Sequence, residues 1–90
     1  MNVENFKRVL DHIKAHPETW DQKGWHCGTA HCFAGHAEIM SGNYFERSPT
    51  RINAKTFLDI SWIEAYYLFN SDRIIADFDD ILAKGFPALT

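Results

Sequence analysis

Five side chains able to ligate a metal fall within eleven positions: His26, Cys27, His31, Cys32 and His36. Thiolate and imidazole are the donors zinc prefers, usually four to a structural site. On a helix, Cys32 and His36 stand four apart and share a face, so both can reach one ion. Cys27 lies just ahead of such a helix and can fold back toward that face. His31 sits about 100° round from Cys32, so the five donors do not all converge. The best set is Cys27, Cys32 and His36 with one distant residue such as His12 or His16. The spacing matches no standard zinc module, since the common fingers use two separated ligand pairs with Cys-x-x-Cys knuckles.

The same residues allow thiol chemistry. A cysteine just before a helix N-terminus has its thiol pKa lowered by the helix dipole, and Cys27 is so placed. His26 and His31 are near enough in sequence to add positive charge or act as base. Cys32 would then be the resolving partner. The two sulfurs can pair only if Cys27 lies outside the helix, because five residues along one helix hold their Cα atoms roughly 8 Å or more apart. The plain alternative is packing. Cysteine is among the most buried residue types, which makes Cys32 a core residue and His36 a hydrogen-bonded core imidazole.

The elements that must position these residues read as helical. Asn2 can cap a first helix carrying Val3, Phe6, Val9, Leu10 and Ile13 on one face. Pro17 ends it near Ala15 or His16 and opens a single helical turn. A second helix spans about 29–40, capped by Thr29 or Gly28 and stopped at Ser41-Gly42. Its residues are small or apolar on nearly every side, with Glu38 the single charge. A helix apolar all round is buried, so this is the expected central helix. Asn53 caps a short helix over 54–59. Ser61-Trp62-Ile63-Glu64 is a capping box opening a helix to about Phe69. Asn70-Ser71-Asp72 caps the last helix, whose stripe is Ile74, Ile75, Phe78, Ile81 and Leu82. Gly85 stops it, with Pro87 beyond. No run alternates long enough for a strand. The expectation is an all-α, single-domain bundle over 1–90, with about four main helices around the 29–40 helix.

The segment Cys27-Gly28-Thr29-Ala30-His31-Cys32-Phe33-Ala34-Gly35-His36-Ala37 resembles a motif of small uncharacterised bacterial and phage proteins, Cys-Gly-Thr-x-x-Cys-x-Ala-Gly-(Trp/His)-Ala. Those often continue with a segment similar to 57–65 here, then Leu68-Phe69. The likeness runs from Trp25 to the last helix, about two-thirds of the chain. It implies a shared fold and a bacterial or phage origin, and it carries over no catalytic residue. In those proteins His36 is often Trp, and His26 and His31 vary. The resemblance thus implies that a metal site on these histidines belongs to a subset.

Charge and composition narrow the function. Nine Lys/Arg against twelve Asp/Glu leave a net charge of −3, without the basic face that nonspecific nucleic-acid binding uses. The pair of short helices between Asn53 and Phe69 has a helix-turn-helix outline, yet its second helix offers no Arg, Lys, Gln or Asn to read base edges. Nucleic acid is therefore an unfavoured partner. Asp72, Asp77, Asp79 and Asp80 read as a solvated acidic face, with Asp77 and Asp80 turned outward together. No apolar run reaches the roughly 18 residues of a membrane span, and the N-terminus lacks a signal pattern, so a cytoplasmic protein is expected. No nucleotide-binding glycine loop or nucleophile elbow is present, and the reading leans away from an enzyme.

Aromatic residues make up 14% of the chain, more than a domain of 90 residues can bury completely. Trp and Tyr are the common anchors of protein interfaces. Trp62, Tyr66, Tyr67, Trp20 and Trp25 are the candidate surface. The expected function is a small noncatalytic module contacting an unknown protein partner, with homo-oligomerisation as one form of that contact. The alternative is a zinc-binding or thiol-redox protein using Cys27, Cys32 and His36.

Overall fold

The computed structural model describes residues 1–23, 26–27, 30–42 and 49–89; at His26, Cys27 and Ala30 it describes the backbone alone. The described residues form an all-α fold of five helices: α1 Val3–Ala15, α2 Phe33–Ser41, α3 Thr50–Leu58, α4 Trp62–Leu68 and α5 Ile75–Lys84. A 3-10 turn at Pro17–Thr19 follows α1, and a two-residue antiparallel pair, β1 His26–Cys27 with β2 Ala30–His31, precedes α2. No helix of the described residues is long and apolar enough to cross a membrane.

The first helix follows its pattern. The Asn2 side chain accepts the Asn5 N–H at 2.9 Å, and Phe6, Val9, Leu10 and Ile13 are fully buried. Val3, one step before the packed stripe, is left outside at 53% exposure. Asn2 N–H donates to the Leu58 carbonyl and Asn5 Nδ2 to the Phe57 carbonyl, which ties the start of α1 to the end of α3.

The central helix starts later than expected. Ala30 and His31 are extended, paired back to β1, and Cys32 is the N-cap. Its Sγ accepts the Gly35 N–H at 3.3 Å. A sulfur three residues ahead of a free amide does what a serine oxygen does at this position, so neither Thr29 nor Gly28 is needed as the cap. Every residue from Phe33 to Glu38 is buried, and Gly42 closes the helix at φ 81°, a left-handed turn that costs glycine little. The core stacks across this helix. The Phe33 ring centroid is 4.8 Å from that of Phe6 on α1 and 4.6 Å from that of Phe78 on α5.

Two further boundaries differ from expectation. α3 begins at Thr50 behind Pro49, so Asn53 is inside the helix rather than capping it. Asn53 is buried, and its Nδ2 donates to Glu38 Oε2 at 2.7 Å, while Thr50 Oγ1 donates to Oε1 at 3.0 Å. The lone charge of α2 thus selects where α3 must lie. α5 begins at Ile75 because the Asp77 carboxylate accepts the Ile74 N–H at 2.8 Å. Asp77 is therefore a half-buried cap rather than an outward partner of Asp80, and Asp79 pairs with Lys14 of α1. The Ser61–Glu64 capping box of α4 is formed as read, at 2.9 and 3.2 Å.

Candidate functional site

Two regions gather the residues singled out above. In the first, α1, the Pro17–Thr19 turn, β2 and α2 meet. His36 is 4% exposed, and its Nε2 is 2.8 Å from the Thr19 carbonyl oxygen. A carbonyl only accepts, so Nε2 carries the hydrogen and donates. The His36 ring centroid lies 5.4 Å from that of His12 and 5.2 Å from that of His31. His16, at the end of α1, follows with its ring 4.9 Å from His12. Three of these imidazoles, His12, His31 and His36, line a hollow of about 200 Å³ with Thr19, Ile39 and Met40.

This grouping differs from the expected one. The fold joins His31 and His36, but their neighbour is His12 rather than Cys32. Cys32 lies in the apolar core, 2% exposed, and is not part of the hollow. Burial pushes its thiol pKa up, against a smaller lowering by backbone hydrogen bonds such as that from Gly35. That is the environment of an inert, packed cysteine rather than a resolving thiol. The side chains of His26 and Cys27 lie outside the described residues, and with them the expected zinc and thiol sets that need them. Among the described residues, no three His, Cys, Asp or Glu side chains stand ready to hold a metal ion.

A polar hub ties the chain ahead of α2 to α4, and the sequence carried no signal for it. Gln22 sits in what reads as a surface turn, yet it is 6% exposed. Its Nε2 donates to the carbonyls of Leu68 and Asn70 at 3.1 and 3.0 Å. Its Oε1 accepts the Phe33 N–H at 3.0 Å and Trp20 Nε1–H at 3.2 Å. One amide thereby joins the start of α2 to the end of α4.

The second region is the outer face of α4. Tyr66 is 69% exposed and Trp62 42%, one turn apart on the same side. With Arg51, Ala65, Phe69 and Asn70 they line a hollow of about 160 Å³ whose wall is mainly apolar. Lys55 Nζ stands 5.1 Å from the centre of the Trp62 ring. Ile63 beside them is also exposed, as is Ile52 on α3.

The other aromatics of the expected surface are elsewhere. Tyr67 faces the far side of α4. It is half-buried, with the Arg73 guanidinium 4.1 Å from its ring centre and Phe86 edge-on at 6.3 Å. Trp20 packs edge-on against Phe78 at 6.1 Å, so it belongs to the core margin. Trp25 lies outside the described residues. The chain matches no protein-family model, no curated protein and no solved structure.

Proposed function

We propose that this chain is a small noncatalytic interaction module of a bacterial or phage cytoplasm, and that its α3–α4 face receives a segment of another protein. The observation that carries this reading is Tyr66. It is a large aromatic, 69% exposed, at the lip of an apolar hollow and beside a second exposed aromatic, Trp62. Exposed apolar patches with aromatic anchors mark interaction sites.

Charge specifies the occupant. Arg51 edges the hollow and Lys55 covers Trp62, on a chain whose net charge is −3. The complementary segment carries an apolar anchor for the hollow and one or more carboxylates for these cations. The cations steer and orient it, and the aromatic contact supplies most of the affinity.

Panning a random-peptide phage library on the purified chain tests this. Selected peptides should place an aromatic or branched apolar residue close to Asp or Glu. Tyr66→Ala should lower their affinity about 30-fold, the effect of losing an anchor worth about 2 kcal/mol. Arg51→Glu should lower it several-fold, more at low salt than at high. Failure to select any peptide, or binding indifferent to Tyr66→Ala, overturns the reading. A dimer in light scattering that Tyr66→Ala dissociates would give the face to a second copy instead.

A further inference from the structure

We infer that the segment received by the α3–α4 face is an acidic amphipathic α-helix, with one apolar side chain in the hollow and two carboxylates one turn apart over Arg51 and Lys55. The inference rests on the reading of this face as an interaction surface, and it names the conformation and spacing of the occupant. Three observations carry it.

The first is periodicity. Arg51 and Lys55 stand four residues apart on α3, and Trp62 and Tyr66 four apart on α4. Each pair spans about one helical turn, roughly 6 Å of rise. The Trp62 and Tyr66 ring centres are 6.2 Å apart. Lys55 stands against Trp62, and Arg51 shares the hollow with Tyr66. The face is therefore a row of cations beside a row of aromatics, both with a helical repeat. A helix laid along it offers residues at i, i+3, i+4 and i+7 on one side, so it meets both rows at once.

The second is the backbone. An extended segment draws much of its affinity from main-chain hydrogen bonds to a sheet edge. This face is built from two helices, whose amides and carbonyls bond along their own axes. An extended occupant would lay its polar backbone against apolar rings with no edge to pair with. A helix satisfies its own backbone and presents side chains alone.

The third is size and charge. The hollow is about 160 Å³, with the buried Ala65 beneath Trp62, Tyr66 and Phe69. A cavity of about 150 Å³ holds one benzene-sized group, so a single Leu or Phe fills this one. No acidic residue lines the hollow, and Arg51 does. Carboxylates are thus the complement on either side of the anchor. An isolated helix of fewer than about 12 residues is marginal in water, so a short segment of this kind folds as it docks.

The test is panning of two phage-displayed libraries of about 16 residues on the immobilised full chain, a length at which helix is marginal alone. Both carry the same apolar and acidic residues. One places the apolar positions at helical spacing, the other at every second position. The helical library should yield the tighter binders, and a mid-peptide proline should weaken the best of them at least tenfold. Charge reversal should reveal the register. A peptide with one Glu changed to Lys should regain affinity on Arg51→Glu, and a peptide changed one turn away should regain it on Lys55→Glu. Tighter binders from the alternating library, or binding indifferent to the proline, overturn the helix and leave the interaction face standing. So does a random library that selects peptides where the helical one selects none. Failure of all three libraries removes the face itself, and the helix with it.

Discussion

Helices α2 and α4 are nearly equal in length and opposite in what they leave outside. α2 buries everything from Phe33 to Glu38, including one carboxylate and one imidazole. Each of those polar groups has a named partner: Glu38 with Asn53 and Thr50, His36 with Thr19. α4 buries only Ala65 and Leu68 and leaves Trp62, Ile63 and Tyr66 exposed. The contrast separates two uses of unusual residues. A polar group taken out of water must be bonded, so the buried ones of α2 decide which neighbours it can have. Aromatics left in water carry no such requirement, which is why we propose a partner for them.

The comparison breaks first if the buried polar groups prove dispensable. Gln22→Leu should have the largest effect. It strands the Phe33 N–H and the Leu68 carbonyl in the interior, at about 1–3 kcal/mol each. Urea denaturation should show a loss of about 4 kcal/mol. A loss below about 1 kcal/mol would mean that water replaces the amide and that the hub does not organise the fold.

Asn53→Ala should come next. It removes the 2.7 Å donor to Glu38 and should cost about 2 kcal/mol. Combined with Glu38→Ala, the two losses should be clearly less than additive, because the residues share one hydrogen bond. Additive losses would show that Glu38 acts through other contacts.

A smaller effect follows from Cys32. Its thiol pKa is raised above the ordinary 9.0, chiefly by burial. The folded chain therefore holds this proton more tightly than the unfolded one. The contribution is fully present below the unfolded thiol's pKa and is lost as pH rises from there through the raised folded value. Stability should fall above about pH 9, and Cys32→Ser should flatten that fall while its oxygen keeps the cap. An unchanged alkaline slope in Cys32→Ser would assign the loss to other groups.

The smallest stability change should be that of Tyr66→Ala, under about 0.5 kcal/mol, as for exposed positions generally. Thermal melting should hardly register it, although peptide binding should fall. A melt lowered by several degrees would mean that Tyr66 supports the fold, and the division between α2 and α4 would lose its meaning.

Local pattern carried much of the architecture. The stripe of α1, the capping box at Ser61 and the apolar spacing of α5 each depend on neighbours within four residues, which the chain itself supplies. The buried character of α2 was legible for the same reason: no side of it offers a charged residue except Glu38, which the fold also buries. The starts of α2, α3 and α5 were less legible. At α2 a cysteine took the role expected of Thr29. At α3 the helix ran back to Pro49, and Asn53 turned inward to a carboxylate. At α5 the cap came from Asp77 inside the helix rather than from Asn70–Asp72.

By itself, then, the sequence determined an all-helical chain, the burial of its central helix and an excess of aromatic surface, because periodicity and capping act over a single turn. Only the tertiary structure decided that His12 joins His31 and His36, that Cys32 leaves them for the core, that Gln22 is an interior hub, and that Tyr66 rather than Tyr67 is exposed. Each of those outcomes depends on which faces meet across distances of 11 to 48 residues in the chain, and no local pattern encodes that meeting.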